Sequence, residues 1–431
     1  MQLANARTAD FRVGPGTPMG EGLRRYWTPV CMSSEIAEPD GDPLRVWLLG
    51  QPFVAFRDTA GKVGVLDEAC PHRRASLVYG RNEGGGLRCL WHQWKFDTEG
   101  RLLETPNFDD CSHRERVRAN AYPVREYGGL VWGYFGPAEH VPTFPQFAWG
   151  AVPPEHLTII PIDLDCNFVK PLEGLVDSSH VSLLHVDLIQ KMPEDRPSSD
   201  RTALANDTMP KFDLELTDFG FHYAAIRGLP DAAPGSAQVR VTAYVAPYLC
   251  FIPAGSPAAH MSIPQDDTHT RFYNIFWSPQ ERQDTAEARG RLEATYGLSD
   301  EIIDRNGVRA SAPGPGPLGK RNHFVQDRAA MRAGATYSGG FGLTVEDAVM
   351  TCSIPGISDY DGEHLVPADH AILRLRRLLD GIAKAVQAGA TPVGLGAQTP
   401  ASAIAAASAV LANQDWRALT PCHVALDRKA S

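Results

Sequence analysis

Between Cys70 and Phe96 the chain reads C-P-H-R-R-A-S-L-V-Y-G-R-N-E-G-G-G-L-R-C-L-W-H-Q-W-K-F. Two pairs of metal-binding residues stand in it, Cys70 with His72 as C-x-H and Cys89 with His92 as C-x-x-H. Each pair offers one thiolate and one imidazole. Structural zinc sites are ordinarily built from C-x₂₋₄-C knuckles, and none is present. One Cys and one His per loop suits instead a [2Fe–2S] centre with two thiolates on one iron and two imidazoles on the other. Gly80 and the run Gly84–Gly85–Gly86 supply the tight turns that let two hairpin loops approach such a centre from either side.

A second set of candidates lies in N-F-V-K-P-L-E-G-L-V-D-S-S-H-V-S-L-L-H, from Asn167 to His185. Its polar landmarks are Glu173, Asp177, His180 and His185. The two histidines are five residues apart, roughly 140° of rotation on an ideal helix. Either they do not share a metal, or the helix ends or bulges between them; a single π-type turn would bring such a pair together. Asp177 precedes His180 by three residues and shares its helical face. Two imidazoles and one carboxylate make the facial triad of non-heme Fe(II) oxygenases, which leaves positions open for O2 and substrate; the third ligand must come from elsewhere in the chain.

These residues need elements to hold them. Thr17–Pro18 predicts a helix start, with a short helix running through Arg24, Arg25, Tyr26 and Trp27 and stopping before Pro29. Short alternating segments then predict strands at 44–49, 53–57, 63–66, 87–91, 94–97, 121–126 and 130–135, a small all-β domain over residues 30–136. The proline-rich stretch 137–145 reads as a linker. Beyond it, 157–164 reads as a strand and 172–188 as a helix. Longer strands follow at 211–217, 221–227, 237–246 and 270–277. Residues 279–309 read as polar and helix-rich, and Ser311–Gly319 as a loop. Apolar Ile372, Leu375, Leu378, Leu379 and Ile382 predict an amphipathic helix over 370–387, and the Ala-rich stretch 397–413 reads as helical. The resulting division is 1–29, an N-terminal helical segment packing on the catalytic domain; 30–136, the β domain; and 137–431, the catalytic domain.

At 431 residues the chain is long enough for two or three domains. Its 41 basic and 51 acidic residues give a net charge of −10, and without a basic block it is not a nucleic-acid binder. Of its eight cysteines, those at 31, 111, 166, 250, 352 and 422 form no disulfide framework and read as buried thiols in a reducing compartment. Residues 1–11 hold no apolar signal segment and no run is long enough to span a bilayer, so a cytoplasmic protein is expected, with no membrane contact.

With both motifs in hand, the C-x-H…C-x-x-H pattern followed by E-x-x-x-D-x-x-H-x-x-x-x-H resembles the α subunit of a Rieske non-heme iron oxygenase. The opening R-V-G-P-G-T-P-M-G-E-G-L-R-R-Y-W-T-P-V is similar to the phthalate dioxygenase branch, as are Pro264 to Thr270 and Asn322 to Asp369. The resemblance spans the chain to about residue 385. It implies an α+β architecture: an all-β Rieske domain and a helix-grip catalytic domain, an antiparallel sheet wrapped by helices. It implies one [2Fe–2S] cluster at Cys70, His72, Cys89 and His92 and one mononuclear Fe(II) at His180, His185 and an Asp. The family's E-D-x-A segment matches T-V-E-D-A-V-M, which assigns that Asp as Asp347; Glu346 beside it points elsewhere, and Asp359, Asp361 and Asp369 are the alternatives. The resemblance further implies a head-to-tail trimer or stacked trimers, in which Asp177 bridges His180 and His92 of the partner subunit. NAD(P)H and flavin act only through a separate ferredoxin-type reductase. A buried aromatic carboxylate needs an Arg, and Arg240 in Q-V-R-V-T-A-Y is the first candidate, Arg227 the second. Phe212, Phe221, Tyr244, Phe251 and Phe341 are candidate pocket walls.

The sequence departs from the family's pattern in three places. Gln93 stands where glycine usually follows the second Rieske His, Thr351–Cys352 replaces an acid–Ser pair, and Ser358–Asp359–Tyr360 stands where Asp–Arg is common. The expected activity is dihydroxylation of a phthalate- or chlorobenzoate-like acid to a cis-dihydrodiol. The competing readings are an aromatic O-demethylase of the same architecture, an electron-transfer Rieske protein without catalytic iron, and a zinc-stabilised structural protein.

Overall fold

The computed structural model describes residues 10–421 except 109–110, 192–197, 230–231, 255, 300–322, 324–325, 341, 358–359 and 361. The loop expected at Ser311–Gly319 and the candidates Phe341, Asp359 and Asp361 lie outside the described residues. The chain divides into two units, Val13–Phe144 and Met1–Arg12 with Pro145–Ser431.

The smaller unit opens on α1 (Pro18–Leu23), where Thr17 accepts a hydrogen bond from the Gly20 amide and Pro18 takes the first helical position. The helix stops at Leu23, earlier than its sequence suggests. Trp27 instead opens β1 (Trp27–Met32), whose β-branched and apolar residues pair with a later strand. Arg24, buried, donates to the carbonyls of Val13, Gly20 and Leu49 and ties α1 to this unit. By packing, the units divide at 12/13 and 144/145, beside the divisions at 29/30 and 136/137 that the sequence suggests.

Ten strands follow from this unit's short alternating runs. They are β1, β2 (Leu44–Leu48), β3 (Gln51–Arg57), β4 (Val63–Asp67), β5 (Arg81–Glu83), β6 (Gly86–Arg88), β7 (Lys95–Phe96), β8 (Leu102–Glu104), β9 (Val124–Tyr127) and β10 (Leu130–Tyr134). They form three antiparallel sheets, β1-β10-β9, β2-β3-β4 and β5-β6-β7-β8, with the short helix α2 (Cys111–Arg116) after β8. Gly84 and Gly85, both at positive φ (57° and 80°), make the two-residue turn between β5 and β6.

The larger unit is built on one antiparallel sheet. Its strands are β11 (Leu157–Leu164), β12 (Lys211–Thr217), β13 (Gly220–Gly228), β14 (Ser236–Val245), β15 (Leu249–Ile252), β16 (Ala258–Pro264), β17 (Thr270–Trp277) and β18 (Ala407–Ala412). Their order is β11-β17-β16-β15-β14-β13-β12, with β18 also on β14. The Ala-rich tail is thus a strand and not a helix. Its alternating side chains and six paired residues beside β14 override alanine's helical preference. The helices are α3 (Val169–Leu175), α4 (Val181–Leu184), α5 (Val186–Lys191), α6 (Ser198–Asn206), α7 (Ala286–Tyr296), α8 (Arg328–Arg332), α9 (Leu343–Ser353) and α10 (His370–Gln387). α10 has the range its amphipathic spacing predicts.

One face of this sheet is the inner face. Opposed residues in an antiparallel sheet share a face. Tyr223 opposes Thr242, Tyr244 opposes Cys250, Cys250 opposes His260, His260 opposes Asn274 and Asn274 opposes Ile160. Ile162, Phe272 and Phe276 follow at period two and pack with Leu292 of α7 and with Ala348 and Cys352 of α9. α3 packs on α9 and on the sheet, so two distant chain segments meet over the inner face.

Candidate metal centres and cavity

In the smaller unit the two halves of the first motif form matching loops. The Arg74 amide donates to the Cys70 carbonyl and the Gln93 amide to the Cys89 carbonyl, closing one turn in each. In the same way Cys70 bonds Ala75 and Cys89 bonds Trp94 through their amides. Cys70 and Cys89 are buried with Leu77, Leu87, Trp94 and Phe96, while His72 and His92 reach the surface. Their rings lie 4.4 Å apart, and His72 stacks on Trp94 at 4.3 Å. Burial pushes the Cys70 thiol up to about 11. Thiolates there need compensating positive charge, and two inward sulfurs beside two outward imidazoles fit a [2Fe–2S] cluster with one histidine-ligated iron at the surface.

Gln93 and Arg74 hold equivalent positions in the two loops, at φ 60° and 64°. This left-handed region strains any residue with a Cβ. Gln93→Gly is expected to raise the unfolding free energy of this unit by roughly 0.5–1 kcal/mol, the relief of that strain less glycine's chain entropy. Denaturant titration followed through the cluster's visible absorbance checks it; an unchanged or lowered midpoint contradicts it.

In the larger unit the helix expected over 172–188 is interrupted twice. α3 ends at Leu175, His180 caps the start of the single-turn α4, and His185 closes it before α5 begins. The break between α4 and α5, not a π-turn, puts both imidazoles on one side. Asp347 comes from α9, 162 residues beyond His185, and its carboxylate lies 3.1 Å from His185 Nε2 and 3.4 Å from His180 Nε2. One ligand atom from each of the three lies within 4.8 Å of the others.

Each imidazole is held from behind. Asp177 Oδ2 is 3.3 Å from His180 Nδ1, and Asp177 Oδ1 accepts from the amide and hydroxyl of Ser179. Glu346 Oε2 is 2.6 Å from His185 Nδ1, and its other oxygen accepts from the Ser338 hydroxyl. Glu346 points away from the metal position, as its place beside Asp347 on α9 requires, and is the orienting residue that sequence reasoning missed. Its signal was the E-D pair itself, since neighbours on a helix face different ways. With both Nδ1 atoms occupied, both Nε2 atoms face Asp347. Burial pulls the pKa of His180 down, but its hydrogen bonds to the Asp177 and Asp347 carboxylates outweigh that and carry it up to about 10. Burial likewise raises the Asp347 carboxyl, yet the two imidazoles hold it far below the usual range. Two oriented imidazoles around one carboxylate, with carboxylates behind them, fit a mononuclear iron with open positions.

A cavity of about 530 Å³ opens beside these three residues. The sheet contributes Ile162, Phe272, Phe276, Thr242 and His260, and the helices contribute Leu175 and Leu188. Arg240, half-buried on β14, lines it, its guanidinium braced 2.5 Å from the Pro253 carbonyl. Arg227 does not line it. It is fully buried and donates to the carbonyls of Ser178 and Asp207, so it holds the segment that carries Asp177. The aromatic candidates do not line it either: Phe251 packs on Trp149 and Trp277, Phe221 on Tyr244, and Phe212 on Tyr223. Asp369 caps the turn before α10 through the Val366 amide and is far from a ligand's role.

Residues 26–127 match the Rieske [2Fe-2S] domain, and residues 133–430 match the family described as LigXa C-terminal domain like. The chain is 38% identical over 417 residues to the phthalate 4,5-dioxygenase oxygenase subunit of Pseudomonas putida, covering 94% of this chain and 92% of that one. It belongs to the Rieske non-heme iron oxygenases. The 3-chlorobenzoate-3,4-dioxygenase oxygenase subunit of Comamonas testosteroni is 35% identical, with 88% of each chain covered. Among solved structures, Pseudomonas putida CBB5 NdmA with caffeine superposes with a TM-score of 0.57 at 17% identity, over 93% of this chain and all of that one, a likeness of fold. Oxygenases of this family carry a Rieske cluster and a mononuclear iron, and both donor sets described above suit them. A zinc-stabilised structural protein and a simple electron carrier are both excluded by that membership.

Proposed function

We propose that this chain is the terminal oxygenase component of a system that dihydroxylates an aromatic carboxylate to a cis-dihydrodiol. The observation that carries the reading is the cavity. The His180–His185–Asp347 set opens on it, its walls are largely apolar, and Arg240 reaches it from the sheet. A largely apolar cavity with a braced guanidinium on its sheet wall suits a flat ring bearing a carboxylate. The names of the phthalate and chlorobenzoate relatives support the same substrate class.

When bound, the cluster stores the electrons and the mononuclear iron activates O2. The chain's own residues do the rest. Arg240 pairs with the carboxylate and fixes the ring's distance from the iron position. The apolar walls exclude water, which strengthens that pairing. Asp177 and Glu346 keep the two Nε2 atoms turned inward. The electrons come from a flavin- and ferredoxin-type reductase that oxidises NAD(P)H. The oligomer is a head-to-tail trimer or a stack of trimers, with Asp177 accepting a further hydrogen bond from His92 of the partner subunit. Exposed Leu90 and Trp91 beside His92, and exposed Leu183 and Met350 beside His180 and Asp347, are apolar surfaces suited to such a contact. The protein works in the cytoplasm; among the described residues no helix is long and apolar enough to cross a membrane.

Single turnover of reduced protein with ¹⁸O₂ and a panel of benzoates, phthalates and methoxybenzoates tests the reading. A product carrying two labelled atoms is expected. One labelled atom with release of formaldehyde would assign an O-demethylase instead.

The two arginines separate cleanly. Arg240→Met is expected to raise the Kd of the substrate acid about 10–100-fold, the loss of a charge-assisted pair, and to cost stability only about 1 kcal/mol with its Pro253 bond. Arg227→Met is expected to leave that Kd unchanged, lower the unfolding free energy by about 2 kcal/mol and slow turnover through the loosened Asp177 segment. Titration of both variants beside a thermal melt checks the pair; the reverse pattern would exchange the roles.

A further inference from the structure

His260 stands in the middle of the inner face, on β16, and is only 5% exposed. Its Nδ1 lies 3.1 Å from Asn274 Oδ1, directly across the strand pair. The Asn274 amide orientation is fixed, because its Nδ2 donates to the Ile160 carbonyl at 3.0 Å and a carbonyl can only accept. Asn274 Oδ1 is therefore an acceptor, and it also receives the Thr344 hydroxyl at 3.2 Å. An acceptor at that place requires the proton on His260 Nδ1. In the neutral ring the other nitrogen, Nε2, then carries a lone pair, and His260 lines the cavity. The ring is clamped by Phe272, stacked at 5.7 Å, and by the edge of Phe276. Full burial also drives its pKa down to about 4, so it stays neutral. His260 and Asp347 line the same cavity.

A rigid, neutral acceptor repels a carboxylate and recognises a donor. We propose that His260 is a specificity-determining residue whose Nε2 accepts a hydrogen bond from a hydroxyl or N–H group on the substrate, so that the acid taken is a hydroxy- or amino-substituted aromatic acid. The proposal rests on the aromatic-acid reading and narrows it. Arg240 takes the carboxylate, and His260, two strands away in the sheet, reads a donor. A substrate with a second carboxylate in the donor's place would meet a lone pair and not a cation.

The test is the anaerobic binding, by calorimetry, of matched acids to the holoenzyme: benzoate, its 3- and 4-fluoro derivatives, its 3- and 4-hydroxy derivatives, and 3-aminobenzoate. At least one hydroxy or amino acid is expected to bind wild-type protein ten-fold or more tightly than its unsubstituted and fluoro counterparts. His260→Leu, apolar and of similar size, is expected to erase that preference, binding the hydroxy and amino acids no more tightly than it binds benzoate. His260→Gln, which keeps an acceptor, is expected to retain part of it. Equal wild-type affinity for all the acids overturns the proposal without need of any variant, and leaves the aromatic-acid reading standing. So does a His260→Leu protein that weakens every acid alike. If wild type binds none of the acids, the aromatic-acid reading itself fails and this one with it.

Discussion

Asp347→Ala is expected to lose the mononuclear iron outright and abolish substrate oxidation, while the brown colour of the [2Fe–2S] cluster stays. Asp347 is the only carboxylate of the described ligand set, and without it two imidazoles remain for a hard divalent ion. Glu346→Ala is the sharper experiment. Glu346 touches no metal position, yet its carboxylate fixes His185 at 2.6 Å and is itself fixed by Ser338. Removing such a partner weakens metal affinity roughly 10–100-fold. Iron analysis after dialysis against graded chelator, with cluster absorbance as internal standard, measures both variants. A Glu346→Ala protein that keeps wild-type iron retention would make Glu346 a bystander. A variant that also loses its cluster would indicate general misfolding.

The second large effect is on stability. Arg376 of α10 is 2% exposed. Its guanidinium bonds Glu173 of α3 at 2.6 Å and Glu363 at 2.6 and 2.9 Å, and lies over the Tyr360 ring at 4.0 Å. Lys170 is the other cation in reach of Glu173, at 3.5 Å. The four charges balance. Arg376→Met fills the space but leaves Glu173 buried with a distant partner, and breaking a buried pair in this way costs about 3–5 kcal/mol. For a unit of this size that lowers Tm by roughly 6–15 °C. A melt that moves by less than about 2 °C would mean that water reaches the network and screens it.

How much of this was legible before the fold was known depended on whether local chemistry or tertiary context decided each feature. The cluster residues were legible because iron–sulfur ligation demands particular side chains at tight spacing, and two short loops provide both. Strands β11, β12 and β17 have the ranges their residues suggest, since alternation is a local property. Asp347 was reached through resemblance, because 162 residues separate it from His185 and no spacing rule spans that distance. Strands β15 and β16 were not recognised. Nearly all of their residues are buried on both faces, so the alternation that marks a strand is missing. The break at His185 comes at no proline or glycine, and nothing in V-S-L-L-H-V announces it. Arg227 and Arg240 sit in equally strand-like runs. Only the fold tells which one lines the cavity.

The tail beyond α10 bears on how the chain can be cut. On β14, β15 covers Ala243–Val245, and β18 occupies the same side of that strand from Ser236 to Val241. Ser408 opposes Arg240 there. Shortening the chain before Ala407 would strip the ladder from more than half of β14 and bare the amides flanking Arg240. An open stretch of this kind invites pairing with another copy, so the first symptom of truncation would be aggregation on expression. The same argument makes β18 a lever for enzyme engineering. Substitutions on β18 opposite Arg240, at Ser408 above all, would alter the backbone support of the proposed substrate arginine without touching a proposed metal ligand.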